Sequence, residues 1–361
     1  MRVERPEVVD SVVIGAGQAG LSSSFHLTRL GVDHLVLDAN RRPGGAWQHR
    51  WDALTMNDVH RVADLPGQAV PDAVGPERAN AFVPDYFADY EDRHDLPVVR
   101  DAEVRAVRDE DGLLRIEVAD GRTWLARTII NATGTWRRPF VPHYPGQDVF
   151  AGRQLHTVDY PGPEAFRGQR VLVVGGGASA VQFLGALRPV TDTLWVTRRE
   201  PVWRTDGFGE VEGREAVAQV EERVRRGLPP RSVVSVTGLM LRPQEQEAAR
   251  LGAYERRPMF ERIESDGVRW ADGSFEPIDV IIWATGFRPD VDHLAPLRLR
   301  SPHGGIQLGA TASSATTSVV DPRVQLVGYG PSASTIGANR AGRVAARAVQ
   351  RRLHENAAAA T

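Results

Sequence analysis

The sequence predicts an α/β fold in which one strand–turn–helix–strand unit occurs twice. The first unit spans residues 8–38 and the second spans residues 171–198. Each unit is followed by a stretch with two Asp-Gly turns, which is typical of an antiparallel β-meander. A chain of 361 residues is long enough for two domains that each bury a core. The repetition therefore predicts two domains built on one plan.

The first unit begins with a buried strand. Val8–Ile14 is a short apolar, β-branched run. Gln18–Leu30 carries apolar residues at helical spacing, and Gly31 ends the helix. The second strand, Leu35–Leu37, ends at Asp38. This order over about 30 residues predicts a Rossmann-like dinucleotide-binding unit.

The turn of the first unit has the glycines that a dinucleotide pyrophosphate requires. Gly15 permits a tight turn, Gly17 lets the backbone approach a pyrophosphate, and Gly20 lets the helix pack closely on the strand. The helix N-terminus then faces the phosphates, while Asp38 accepts hydrogen bonds from a ribose hydroxyl. The predicted contacts are Gly15, Gly17, Gln18, Ala19, Gly20 and Asp38.

The second unit repeats the plan with one difference in charge. Its strand over Val171–Val174 leads into a turn in which Ala180 replaces the third glycine. Its second strand ends at Arg198 and Arg199, where the first unit has an acid. Arginine can clasp a 2'-phosphate that a carboxylate would repel, so the pattern favours NADPH over NADH. NADH use and a solvated arginine pair remain open. The predicted contacts are Gly175, Gly177, Ser179, Ala180, Arg198 and Arg199.

Each meander leads into an apolar strand and an Ala-Thr-Gly turn. These turns place Thr133 and Gly134 in the first half, and Thr285 and Gly286 in the second, beside the cofactors. Val104, in the first meander, is a further predicted cofactor contact.

A strand over 324–327 and a helix over about 336–353 are expected to return to the first domain. Predicted domains are therefore 1–148 for the first part of one dinucleotide-binding domain, 149–287 for an inserted NAD(P)H domain, and 288–361 for the rest of the first domain, which the resemblance described next identifies as the FAD domain. Residues 212–252 form a polar insertion, interpreted as a surface lid or a loop.

A short segment before the second glycine turn carries a family resemblance. Phe150, Gly152, His156 and Tyr160 are spaced as in the fingerprint of the class B flavoprotein monooxygenases, which include the flavin-containing and Baeyer-Villiger monooxygenases. Tyr160 is typical of the flavin-containing branch, and the short chain resembles the compact bacterial members. The resemblance implies a glutathione-reductase-like arrangement with FAD and NADPH as cofactors.

The resemblance extends to further residues near the flavin. Gly45 and Trp47 are similar to the family's Gly-Gly-x-Trp segment, and Asn57 aligns with an asparagine near the flavin and nicotinamide. Asn57 could equally form a turn or helix cap, and Asp58 is a further candidate carboxylate. By resemblance, His156 acts at the domain linker, where it aligns the domains and retains NADP+. Many relatives have an aspartate after the last strand where this chain has residues 328–332, so Ser332 is the candidate replacement.

The implied reaction is NADPH-dependent oxygenation through a C4a-(hydro)peroxyflavin. A small-molecule sulfide, amine or ketone would react with molecular oxygen at the flavin. A cysteine-free NADPH-dependent reductase that passes electrons to ferredoxin or a quinone is the main alternative, and a dinucleotide sensor is a second.

The composition excludes several other chemistries. The chain has neither cysteine nor lysine, which excludes a redox disulfide, a cysteine-ligated metal and a lysine Schiff base. A net charge of -2 gives no positive field that would attract nucleic acid. The N-terminus has no secretion signal, and no apolar stretch reaches membrane-spanning length, so a cytoplasmic protein is expected. No metal site is predicted, and a homodimer is left open.

Overall fold

The computed structural model describes residues 8–59, 62–71, 75–204, 210–230 and 238–359. Part of the predicted 212–252 insertion and the N-terminal residues 1–7 lie outside these ranges. Within them, the α-helices are α1 Gln18–Arg29, α2 Ala79–Arg93, α3 Ala178–Leu187, α4 Glu210–Arg225, α5 Pro243–Arg250 and α6 Thr335–Ala359. None of these helices is long and apolar enough to cross a membrane.

The strands are given in chain order, and β17 (Val324–Leu326), although last, belongs with the first group. Those up to residue 131 are β1 Val8–Ile14, β2 His34–Leu37, β3 Val98–Val99, β4 Val104–Glu110, β5 Leu113–Val118 and β6 Thr123–Asn131. The others are β7 Arg153–His156, β8 Arg170–Val174, β9 Asp192–Val196, β10 Trp203–Arg204, β11 Leu239–Met240, β12 Arg256–Arg257, β13 Arg262–Glu264, β14 Gly267–Arg269, β15 Phe275–Pro277, β16 Val280–Trp283 and β17 Val324–Leu326.

The first sheet combines a parallel core with an antiparallel branch. Its strands follow the order β3-β2-β1-β6-β5-β4. Strand β5 pairs with the N-terminal part of β6, and β17 pairs with the C-terminal part. The strands β3, β2, β1, β6 and β17 are parallel, whereas β4, β5 and β6 form the antiparallel meander. Helix α1 packs against α6, so the C-terminal helix returns to the first domain. The two-domain α/β prediction is confirmed by this topology.

The second sheet is wholly parallel. Its order is β12-β9-β8-β16-β7, and the predicted second meander is the separate antiparallel sheet β13-β14-β15. Strand β16 and the part of β8 from Val171 onwards are fully buried and apolar, as expected for strands covered on both faces. In both sheets, the glycine turn follows a strand with neighbours on both sides. Ligands bind at this type of point in an open α/β sheet.

Candidate active site

The first glycine turn leaves the N-terminus of α1 open for a phosphate. Gly17 is the N-cap residue, no side chain caps this helix end, and the first turn contains no acidic residue. A Cβ on Gly15 would meet the carbonyl oxygen of Ala132 at 2.8 Å, and one on Gly20 would meet that of Gly15 at 1.8 Å. Gly20 therefore permits the helix packing, while Gly17 keeps the surface above the turn clear.

A cavity of about 620 Å³ opens above this turn. Ten predicted cofactor contacts line it, and they come from five separate segments: Gly15, Gly17, Gln18, Ala19, Asp38, Gly45, Trp47, Val104, Thr133 and Gly134. Gly20 does not line this cavity, because it lies beneath the turn. Gly328 and Ser332 close the far side. The volume falls in the usual range for cofactor sites. We call this space the flavin cavity, because the sequence resemblance predicts FAD at this turn.

Asp38 is buried at one end of the flavin cavity and keeps one acceptor position free. Its Oδ1 accepts hydrogen bonds from the backbone N–H and the side-chain amide of Asn40, both at 2.9 Å. Its Oδ2 accepts one from Arg100 Nη1 at 2.7 Å. Since two carboxylate oxygens offer about four acceptor positions, one remains for a ribose hydroxyl. Arg100 also pairs with Glu91, which fixes the orientation of Asp38.

A buried polar network orders the wall behind Thr133. His293 Nε2 donates to Asn131 Oδ1 at 2.6 Å, and Asn131 Nδ2 donates to Thr133 Oγ1 at 3.0 Å. The Thr133 hydroxyl in turn donates to the carbonyl of Asp290. Burial lowers the pKa of His293 to about 4, so the imidazole is neutral at pH 7. The sequence prediction missed this histidine, which also lines the flavin cavity.

The second glycine turn has the same local geometry as the first. Gly177 is the N-cap of α3, again without a capping side chain or an acid in the first turn. Gly175 donates to Val196 at 3.0 Å, and a Cβ on Gly175 would meet the carbonyl oxygen of Ala284 at 2.2 Å. Ser179 and Ala180 follow in the first turn of α3. A phosphate can therefore approach this helix end as it can approach α1.

Arg198 and Arg199 lie at the carboxyl end of β9, next to the second glycine turn. Both side chains are exposed, and no ion pair among the described residues involves either of them. Thr197, just before them, is buried and accepts a hydrogen bond from Arg256 Nε at 2.9 Å. The two guanidinium groups are thus free to meet a phosphate at this edge.

Two chain crossings connect the domains and pair with each other. The first crossing is residues 134–140 and the second is residues 286–290. Phe140 N donates to Gly286, Arg288 N to Arg138, and Asp290 N to Gly134, with N–O distances of 2.9 to 3.0 Å. The hydroxyl of Thr285 also donates to the carbonyl of Phe140. The two Ala-Thr-Gly turns are therefore held together through their crossings.

An aromatic chain runs across these crossings. Trp136 stacks on Phe287 with ring centroids 5.1 Å apart, and Phe287 meets the edge of His156 at 5.0 Å. On the other side, the Arg50 guanidinium lies 4.2 Å from the centroid of the Trp136 ring. Arg50, Trp136 and Phe287 all line the flavin cavity.

His156 ends strand β7 of the second sheet, which corrects its expected place in a linker between domains. The sequence prediction missed this strand because β7 is only four residues long and half of it is exposed. His156 Nε2 donates to the carbonyl of Gly286 at 3.0 Å, and Nδ1 accepts from Val158 N at 3.4 Å. Burial lowers the pKa of His156, so it is neutral at pH 7 with both ring nitrogens occupied.

Asn57 and Asp58 are not brought to the flavin cavity. Asn57 is exposed and lines neither of the cavities described here. The Asp58 carboxylate accepts hydrogen bonds from Thr55 N at 3.2 Å and Thr55 Oγ1 at 2.7 Å, which closes its own turn. Asp58 borders a second cavity of about 400 Å³, bounded by Trp51, α3 and α5. In this structure the pair forms a turn beside the domain interface.

The fold and site define a two-domain dinucleotide-binding oxidoreductase. Residues 12–208, more than half of the chain, match the pyridine nucleotide-disulphide oxidoreductase family, and the chain belongs to it. A flavin-containing monooxygenase from Stenotrophomonas maltophilia is 36% identical, with a TM-score of 0.81 over 95% of this chain and 98% of that one. The chain is thus a flavin monooxygenase.

Two more distant relatives also match over most of the chain. An indole-3-pyruvate monooxygenase from Oryza sativa subsp. japonica is 28% identical over 322 residues, 79% of this chain and 78% of its own. A bacillithiol disulfide reductase from Staphylococcus aureus is 15% identical with a TM-score of 0.66, over 94% of this chain and 98% of that one, and this likeness concerns the fold alone. The family match and the Stenotrophomonas maltophilia monooxygenase together identify FAD and NADPH as the cofactors.

The residues around the first glycine turn fit FAD. The turn has no side chain where a pyrophosphate would lie, Asp38 retains an acceptor for a ribose, and Gly45 approaches Gly17 closely enough that a Cβ would meet its Cα at 2.8 Å. This approach brings Trp47 to the cavity wall, where it is half-buried rather than part of the core. The Ser332 hydroxyl donates to the carbonyl of Tyr329 at 2.9 Å, so its hydrogen is already used.

Proposed function

We propose that the enzyme oxygenates a small soft nucleophile, a sulfide or an amine, or inserts oxygen next to a ketone carbonyl, with NADPH as the preferred reductant. The position of Phe287 carries this proposal. It directly follows the Thr285–Gly286 turn of the second sheet, yet it lines the flavin cavity of the first domain. A hydride donor held at the second glycine turn would thus reach the flavin cavity along the Phe287 wall.

FAD and NADPH, when bound, supply the hydride and oxygen chemistry, and the protein supplies binding and exclusion of water. The open N-termini of α1 and α3 would bind the two pyrophosphates. Trp47, Trp136 and Phe287 give the cavity apolar walls. His156 would hold the Gly286 turn through its Nε2–H, because neither ring nitrogen is free to move a proton.

The proposal gives Asn57 and Asp58 no direct part in catalysis. The exposed amide of Asn57 and the turn-closing carboxylate of Asp58 lie outside the flavin cavity. We also propose that the chain divides into residues 1–148, 149–287 and 288–361. This division is supported by the sheets, because the first uses strands within 8–131 and 324–326 and the second uses strands within 153–283.

Rapid-mixing absorbance spectroscopy tests the proposed reaction. The purified enzyme is reduced with NADPH without oxygen, mixed with oxygenated buffer, and followed in the near-UV. We expect a transient absorbance before the oxidised flavin returns, and faster decay with methyl phenyl sulfide, a tertiary amine, cyclohexanone or indole-3-pyruvate. Direct return of oxidised flavin with hydrogen peroxide, unaffected by any of these compounds, would instead favour a reductase.

A further inference from the structure

Among the described residues, three of the four arginines that line the flavin cavity form ion pairs, and the fourth, Arg50, forms none. Arg105 and Arg137 both pair with Glu103, and Arg138 pairs with Asp292 at 2.6 Å. Arg50 has no such partner: no ion pair or side-chain hydrogen bond among the described residues involves its guanidinium. Its Nε is fully buried without a hydrogen-bond acceptor.

Arg50 is half-buried between two aromatic rings. Its guanidinium lies 4.2 Å from the ring centroid of Trp136 and 5.6 Å from that of Trp47. Burial alone lowers its pKa to about 10, so it is still charged at pH 7. A desolvated cation costs free energy unless an anion or hydrogen-bond acceptors meet it. Contact with two aromatic rings compensates only part of that cost.

The backbone of Arg50 is also fixed. Its N–H donates to Trp47 at 3.1 Å, and its carbonyl accepts a hydrogen bond from Asn80 Nδ2 at 2.9 Å. The missing anion is therefore expected from a ligand in the cavity that Arg50 lines.

We propose that Arg50 binds a pyrophosphate oxygen of a dinucleotide, in addition to the glycine turn that holds the same pyrophosphate. A guanidinium presents a planar set of donors that matches phosphate oxygens, and a low-dielectric site strengthens the pairing. The inference rests on the proposed arrangement of the cofactors. The phosphate belongs either to FAD, whose cavity Arg50 lines, or to NADPH, which approaches along Phe287.

Binding measurements on three variants distinguish these sources without any turnover. Arg50→Gln removes the charge, and Arg50→Lys keeps the charge but loses the planar fork. Arg42→Gln, an exposed arginine on the same loop outside the cavity, is the control. FAD affinity is measured by quenching of flavin fluorescence on titration of the apoprotein. NADP+ affinity is measured from the change it causes in the absorbance of the bound flavin.

We expect Arg50→Gln to weaken the binding of one dinucleotide about 10- to 100-fold, with a smaller loss in Arg50→Lys and none in Arg42→Gln. The dinucleotide that loses affinity is the one whose phosphate Arg50 binds. Its affinity should also become less dependent on salt in Arg50→Gln. Unchanged affinities for both dinucleotides, or equal losses in Arg50→Gln and Arg50→Lys with unchanged salt dependence, would overturn the proposal. Because no reaction is followed, these outcomes are independent of whether the substrate is oxygenated.

Discussion

The indole ring of Trp136 stacks on the phenyl ring of Phe287, with their planes 25° apart. Each residue lies in one of the two crossings, so the contact couples the domains at the wall of the flavin cavity. We expect a coupling free energy of about 1 kcal/mol between the two side chains. A double-mutant cycle with Trp136→Leu and Phe287→Leu, measured by thermal unfolding of the holoenzyme, tests this value. Strictly additive effects would mean that the two rings do not stabilise each other.

The two glycines of the first turn should respond differently to a methyl group. Gly20→Ala places a Cβ 1.8 Å from the carbonyl oxygen of Gly15. We expect this clash to lower the free energy of unfolding by roughly 1–3 kcal/mol and also to weaken FAD binding. Gly17→Ala has no protein atom closer than 4.0 Å. It should keep the apoprotein's melting temperature and weaken FAD binding alone. Apoprotein melting curves and FAD titrations separate the two, and equal destabilisation by both would contradict the geometry.

The arginines after β9 should set the choice of reductant. Replacing Arg198 and Arg199 together with Ala is expected to lower kcat/KM for NADPH by about 10- to 100-fold, because charge-assisted bonds to a 2'-phosphate are lost. The value for NADH should hardly change. Arg167→Gln serves as the control, since this exposed arginine of the second domain pairs with Glu164 away from the turn. Equal kcat/KM values for NADPH and NADH in the unmodified enzyme would refute the preference.

His293 should make the protein less stable in mild acid. Its pKa is about 4 in the folded chain and near 6.5 in the unfolded chain, so the unfolded chain binds the extra proton between these values. Its contribution to stability is complete above pH 6.5 and falls as the pH drops towards 4. At pH 5 the loss is about 2 kcal/mol. Urea unfolding at pH 7 and pH 5 should show a smaller difference for His293→Asn than for the unmodified chain. An equal difference in both would assign the acid sensitivity to other groups.

The sequence predicted the sheets well because their signals are local. The strand over Val8–Ile14 has the predicted bounds, and the Asp111-Gly112 turn falls between β4 and β5 as expected. Glycine turns and apolar strands depend on neighbouring residues, so short windows reveal them. The C-terminal helix also returns to the first domain, although it begins and ends beyond the predicted 336–353.

The rest of the site depends on contacts between distant parts of the chain. Arg50, Trp136 and His293 were not predicted, because their roles come from the cavity that folding creates. One signal could have identified Trp136: an aromatic residue comes within two positions of each Ala-Thr-Gly turn, Trp136 two residues after Gly134 and Phe287 directly after Gly286. Asn57 was predicted near the flavin because it aligns with a family asparagine, but its exposed side chain does not line the flavin cavity.

The paired crossings have a mechanical consequence. Residues 134–140 and 286–290 are joined by backbone hydrogen bonds, so the two segments can bend together but resist twisting. A single linker would allow both bending and twisting. A rotation of the second domain relative to the first would therefore be confined largely to one axis, which passes beside Gly134 and Gly286. A reductant carried on that domain would return to the same alignment after each cycle, without a search over orientations.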